Sequence, residues 1–265
     1  MPTKPKLDTS TPATAEPYLL DHSGLPGPRA NLELASTLAK QAADFLENPT
    51  WYARLLDWAT TPPEQIDTNH PRVFLTFAAI QTLGAAFTSA TPACRATIKS
   101  VLNQAANDPR WRVREACAIA LQEIGMQSSE ELLAILRAWM AAPSLLELRA
   151  ALAALAHPPI LNDEHIANYF FDTAGAAYSR WESLSPMEAK SESAKTLRKA
   201  LEYAPSVLVA AHPTRGFQML EDWANTERVD MAKIVAANLR KARLARRYPD
   251  QVESVALRLE ASCSQ

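Results

Sequence analysis

The stretch Asp108–Gly125, with the sequence DPRWRVREACAIALQEIG, limits what this chain can fold into more than any other feature. Its apolar side chains recur at three- and four-residue steps, which places them on one face of a helix. They are Val113, Cys117, Ala120, Leu121 and Ile124. Asp108 can accept hydrogen bonds from backbone N–H groups at the helix start or from a neighbouring arginine. Gly125 is expected to end the helix in a left-handed conformation.

A second stretch, Leu148–Leu155 (LRAALAAL), repeats this pattern. Arg149 follows Arg114 by 35 residues, a spacing typical of repeats made of helical hairpins. The stretch Asp230–Leu239 is a weaker echo, because Ala236 stands where the arginine is expected and an Asp–Arg ladder would be interrupted there. The repetition predicts helical hairpins that stack on one another.

The unit Asp108–Gly125 resembles the second half of a HEAT repeat, in which an Asp opens the inner helix and a Val-Arg step, small residues, an Ala-Leu pair and a Gly follow. The matching positions are Asp108, Val113-Arg114, Ala116, Ala120-Leu121 and Gly125. The chain is also similar to uncharacterised bacterial HEAT-repeat proteins over Leu25–Leu34 and Asn238–Leu244. This resemblance implies an α-solenoid and no established activity.

Composition agrees with a helical fold, since Ala and Leu favour helices and the chain has only 6 glycines for tight turns. We predict an all-α fold, an α-solenoid of about five HEAT-like helical hairpins, over residues 30–265. Residues 1–29 are rich in Thr, Pro, Ser and Gly, and we predict a disordered tail there. Asn31 is expected to cap the first helix after the tail, and Pro205 to split the segment 191–211.

The charge balance gives no global field for a polyanion, since 27 basic and 29 acidic residues leave a net charge of −2. Three cysteines without regular spacing are typical of a reducing compartment. The N-terminus lacks the apolar run of a signal peptide, and no apolar stretch of about 18 residues predicts a membrane span. We therefore expect a cytoplasmic protein without a membrane partner.

Chemistry-bearing motifs are missing. The five histidines are scattered, and the sequence has no Gly-x-Ser-x-Gly, no phosphate-binding glycine loop and no Cys-x-x-Cys. Cys117 lies on the apolar face of its helix and is expected to be a buried, unreactive thiol. We predict no catalytic, cofactor-binding or metal-binding residues, and the sequence favours a non-enzymatic role.

Two groups of residues are the candidates for contact with a partner. The first is left over once capping and core roles are assigned in the best repeat unit, and consists of Arg110, Trp111 and Arg112. The second lies late in the chain and consists of Arg240, Lys241, Arg243, Arg246 and Arg247. The alternative interpretation is that these cations decorate helix C-termini, where the helix dipole favours them.

The leading hypothesis is a non-catalytic scaffold or adaptor that binds a protein partner on the concave face of the solenoid. The alternative is a nucleic-acid-binding protein related to alkyl-purine DNA glycosylases, HEAT-like enzymes with an aromatic-lined cleft and a catalytic Asp. Asp57 beside Trp58 and Asp222 beside Trp223 motivate it, although most of the 6 tryptophans are expected to pack in the core. A third hypothesis is enzyme maturation, in which the solenoid presents a client protein to a cofactor. The sequence leaves the oligomeric state open.

Overall fold

The structure is a computed structural model, and it describes residues 7–263. All regular secondary structure in this range is helical. The chain divides into two compact units, one that ends at Ile135 and one that begins at Leu136. The all-α prediction is confirmed for the residues described.

The first unit is built around one central helix. Its helices are α1 (Pro12–Asp21), α2 (Leu32–Ala39), α3 (Ala42–Glu47), α4 (Pro49–Ala59), α5 (Val73–Ala86), α6 (Pro92–Ala106) and α7 (Trp111–Gln127). The next helix, α8 (Ser129–Trp139), crosses the boundary between the two units. α5 packs against α2, α4 and α7 and is buried almost all round, as expected for a helix that is apolar on every face.

Helices α5 and α7 approach each other very closely. A Cβ added to Gly84 on α5 would lie 2.5 Å from the Cβ of Ala120 on α7. Both residues are fully buried in the core of the unit or nearly so. Small residues such as Ala120 on α7 therefore allow α5 to pack at a short distance.

The second unit contains the rest of α8 and eight further helices. They are α9 (Leu145–Leu155), α10 (Glu164–Glu182), α11 (Glu192–Leu201), α12 (Ala204–Ala211), α13 (Pro213–Ala224), α14 (Val229–Leu239), α15 (Ala242–Ala245) and α16 (Pro249–Cys263). α9 packs against α10 and α11, and it buries Leu148, Leu152 and Leu155. α13 packs against α12, α14 and α16.

Several local predictions are confirmed. The Asn31 side chain accepts a hydrogen bond from the Leu34 N–H at 3.0 Å and so caps α2. The segment 191–211 is split into α11 and α12, and Pro205 lies in the first turn of α12, where its missing N–H costs nothing. Cys117 is buried, and its Sγ lies 3.2 Å from the Leu102 carbonyl oxygen.

Two local predictions are wrong. Residues 12–21, predicted to be disordered, form α1, because Thr11 caps the helix, Pro12 starts it and Leu19 is buried in the core. Residues 1–6 of the predicted tail lie outside the described range, and a single domain over residues 30–265 stays a prediction. Gly125 does not end its helix either, since α7 continues to Gln127 and only Gly24 has positive φ among the glycines described.

Candidate protein-binding groove

Arg110, predicted to contact a partner, is instead a structural residue just before α7. Its side chain is only 5% exposed. The guanidinium donates to both carboxylate oxygens of Asp108, at 2.9 and 2.7 Å, and to the carbonyl oxygens of Thr61 at 2.8 Å and Ile66 at 3.2 Å. Arg110 thus ties the start of α7 to the loop that follows α4, and its charge is not available at the surface.

Arg112, also predicted to contact a partner, is buried as well. It is 3% exposed, and its guanidinium donates to the carbonyl oxygens of Thr68, at 2.8 Å, and of Gly27. The same group lies 4.3 Å from the centre of the Trp111 ring. Burial lowers the pKa of the Arg112 guanidinium from its ordinary value. The physical reason for both corrections is that a guanidinium has five N–H donors, and loop carbonyls distant in the sequence take them up.

Trp111 is the member of this group that remains accessible, with 45% of its surface exposed. The other five tryptophans are buried, as predicted. Asp57 is exposed and paired with Arg54 at 3.2 Å, while its neighbour Trp58 is buried. The two Asp–Trp pairs that motivated the glycosylase alternative therefore do not place an aromatic ring and a carboxylate together at the surface. Nucleic-acid binding stays a prediction.

A groove lies beside Trp111 in the first unit, and we call it the α7 groove. The outward stripe of α7 that lines it contains Trp111, Glu115, Ile119 and Glu123. The other lining residues include Leu32, Ser36 and Ala39 from α2, with Arg29 before this helix and Lys40 directly after it, and Phe77, Gln81 and Ala85 from α5. Two cavities of about 270 and 410 Å³ make up the groove, and they adjoin at Leu32.

Exposed apolar side chains lie at the α7 groove and further along the same stripe of α7. Leu32 is 52% exposed beside Trp111, and Met126, on the same stripe one turn beyond Glu123, is 53% exposed. Large apolar side chains that remain together in water mark interaction sites. The charged residues around them are of both signs, with Glu115 and Glu123 along α7 and Lys40 directly after α2.

Gln81 is an unusual member of this lining. It is 6% exposed, and its Nε2 has no hydrogen-bond partner among the residues described. A buried donor left without an acceptor destabilises a fold by about 1–3 kcal/mol. Neither Gln81 nor Leu32 could be assigned to the groove from the sequence, because α2, α5 and α7 are distant in the chain.

The second unit has one larger cavity of its own, of about 660 Å³. It lies between the α8–α9 connection, α9 and α10, and it is lined mainly by apolar groups such as Met140, Pro143 and Leu148. Asp172 and Arg180 contribute opposite charges to its α10 wall. The hydroxyl of Tyr169, another residue of this wall, is buried and has no hydrogen-bond partner among the residues described, and burial raises the pKa of this phenol.

The late basic residues lie on the connection between α14 and α16. Arg240, Arg243, Arg246 and Arg247 are exposed, and Lys241 is half-buried. The short helix α15 in this connection buries Leu244 completely. The structure thus leaves these predicted contact residues accessible, and their role in binding stays a prediction.

Residues 68–156, which contain α5 to α9, match the family model of HEAT repeats. The prediction of HEAT repeats is therefore confirmed for this stretch, and the all-α fold class is confirmed for the residues that the structure describes. HEAT repeats generally mediate protein interactions. No curated protein and no solved structure shows significant similarity to the chain. The similarity to bacterial HEAT-repeat proteins stays a prediction.

Within residues 7–263 there is neither a membrane-spanning helix nor a cluster of metal-binding side chains. None of the helices within residues 7–263 is long and apolar enough to cross a membrane. Over the same range, no group of three or more His, Cys, Asp or Glu side chains is arranged to hold a metal ion. Cys94 and Cys117 are free thiols.

Proposed function

We propose that this protein is a non-catalytic scaffold or adaptor whose α7 groove binds a segment of a protein partner. The observation that carries the proposal is the row of exposed apolar side chains at the groove, with Leu32 and Trp111 at one end and Met126 beyond the other. Covering these side chains removes apolar surface from water at a gain of about 25 cal/mol per Å². The cytoplasmic location remains a prediction.

The polar groups of the groove define what the partner segment should carry. Glu115 and Glu123 lie two helical turns apart, about 12 Å along α7. A segment with apolar side chains for the cavities and a Lys or Arg between them therefore fits best.

Trp111, whose ring is exposed beside the groove, is the most suitable residue to mutate in a test of this proposal. Rigid, partly exposed tryptophans are frequent energetic centres of protein interfaces, and truncation of such a residue weakens binding by about 2 kcal/mol or more. Trp111→Ala should leave the core intact, because the ring is about half exposed and its removal creates no enclosed cavity.

The experiment is affinity capture from cell extract on immobilised wild-type protein, Trp111→Ala and a control, Leu257→Ala, with the captured proteins quantified by mass spectrometry. Leu257 is 60% exposed on α16, in the other unit. We expect at least one protein to be captured by the wild type and the control and lost from Trp111→Ala. Capture that is the same for all three would refute a role for the α7 groove.

A further inference from the structure

The segment 231–249 has an unusual charge. It contains six cations, Lys233, Arg240, Lys241, Arg243, Arg246 and Arg247, and no carboxylate between Asp230 and Asp250. The whole chain carries −2, so the residues outside this segment carry −8. We call the six side chains the basic cluster.

The basic cluster is displayed on a well-anchored part of the second unit. Asn238 is completely buried, and its side chain donates to the Leu201 carbonyl oxygen at 2.7 Å and accepts from the Ser206 N–H at 2.9 Å. Leu244 is also fully buried, and the Tyr248 ring packs edge-on against Phe217 at 5.5 Å. Because the backbone is already ordered, a ligand of these side chains need not order it.

The cations of the basic cluster lack ion pairs within residues 7–263. Elsewhere in the protein, several cations have an acidic partner, as in Arg54–Asp57 at 3.2 Å, Lys195–Glu192 at 2.6 Å and Arg198–Glu202 at 2.8 Å. No ion pair involves any of the six within the part of the chain that the structure describes; Arg247 lies over the ring of Tyr248 instead. Arg240 and Lys241 are adjacent in the sequence, and so are Arg246 and Arg247. Like charges this close repel at ordinary salt, and an anion bound between them relieves the repulsion.

We infer that the basic cluster is a binding site for an acidic peptide, a run of Glu and Asp side chains in a partner protein. Four of the five cations on the α14–α16 connection are arginines, whose planar forks hold carboxylates through paired hydrogen bonds. A short peptide can lie on this one connection, whereas a long nucleic acid would also run along the surplus of −8 on the rest of the chain. The site is independent of the α7 groove, and neither proposal depends on the other.

The experiment is fluorescence anisotropy with a short fluorescein-labelled polyglutamate peptide, at low and at high salt. The variant is Arg243→Gln/Arg246→Gln, in which two exposed arginines lose their charge. The matched control is Arg54→Gln/Lys195→Gln, which removes the same charge from two cations that are already paired. Circular dichroism verifies that both variants are folded.

We expect the peptide to bind the wild type and the control at low salt, and to bind Arg243→Gln/Arg246→Gln about tenfold more weakly. A single-stranded oligonucleotide of the same charge should bind the wild type more weakly than the peptide does. Absence of peptide binding, an equal loss in the control, or tighter binding of the oligonucleotide would each overturn the inference, and the last would assign the cluster to nucleic acid.

Discussion

Arg110 holds Asp108, two residues earlier, through both carboxylate oxygens, and the same guanidinium donates to the carbonyl of Thr61. The second unit repeats the arrangement in reverse order. Arg228 precedes α14, binds both carboxylate oxygens of Asp230 at 3.1 and 2.8 Å, and donates to the Glu182 carbonyl oxygen. Arg228 thus has the role of Arg110, whereas Ala236 stands at the position of Arg114. In each unit an Arg–Asp pair ties a helix start to an earlier segment.

Removal of Arg110 should strongly destabilise the first unit. Arg110→Ala leaves the nearly buried Asp108 carboxylate and two loop carbonyls without their donors, and loss of one partner of a buried pair costs about 3–5 kcal/mol. The exposed pair Arg54–Asp57 is the control, and Arg54→Ala should cost less than about 1 kcal/mol. The free energy of unfolding from urea titrations measures both. Equal losses in the two variants would show that Arg110 is not a structural residue.

Asp230 should make part of the stability dependent on pH. Hydrogen bonds from Arg228, and more weakly from Trp181, hold the pKa of Asp230 below its ordinary value. A carboxylate of this kind stabilises the fold above the unfolded pKa of about 3.9, and the contribution is lost as the pH falls through the lower folded pKa. The difference in free energy of unfolding between the wild type and Asp230→Asn should therefore be constant near neutral pH and shrink below about pH 4. A difference that does not change with pH would contradict the prediction.

Arg112→Ala should loosen the segment before α2. The variant loses the hydrogen bonds to Gly27 and Thr68, and Gly27 lies two residues before the exposed Arg29. We expect trypsin to cleave after Arg29 faster in Arg112→Ala than in the wild type, because local opening exposes the peptide bond. Mass spectrometry of the early fragments gives the rate, and Arg54→Ala serves as the control. Identical rates in all three proteins would exclude this role for Arg112.

Two glycines give a matched test of helix packing. A Cβ at Gly84 would lie 2.5 Å from the Cβ and 2.8 Å from the Cα of Ala120, so Gly84→Ala should cost about 1–3 kcal/mol. Gly175 on α10 has no atom within 4 Å of an added Cβ, so Gly175→Ala should stabilise the protein by about 0.5–1 kcal/mol. Thermal unfolding of both variants measures the two effects, and a stable Gly84→Ala would contradict the close approach of α5 and α7.

The helices could be predicted well because their signals are local. Asn31 caps α2 and Pro205 starts a new helix through interactions with residues a few positions away, which a sequence displays directly. The disorder predicted for residues 12–21 depends on the composition of residues 1–29. Thr11 and Pro12 nevertheless form a recognisable helix start, and α1 begins there. The prediction for Gly125 is wrong because the sequence alone does not distinguish a glycine buried inside a helix from a glycine that ends one.

The candidate site was only partly predictable. Trp111 could be predicted as exposed, since it lies off the apolar face of α7. The burial of Arg110 and Arg112 could not, because their acceptors on Thr61, Ile66, Thr68 and Gly27 lie from 44 to 85 residues away in the sequence. Met126 could have been recognised on the same helical stripe as Trp111, whereas the contribution of α2 and α5 to the groove depends on the tertiary fold.

Site-specific photo-crosslinking tests the α7 groove most directly. p-Benzoylphenylalanine replaces Ile119 inside the groove, or Leu257 on α16 as the control, and the protein is irradiated in cell extract. We expect a discrete crosslinked partner from position 119, its loss when Trp111→Ala is added, and no such product from position 257. No product at position 119, or the same products from both positions regardless of Trp111, would rule out binding in the α7 groove.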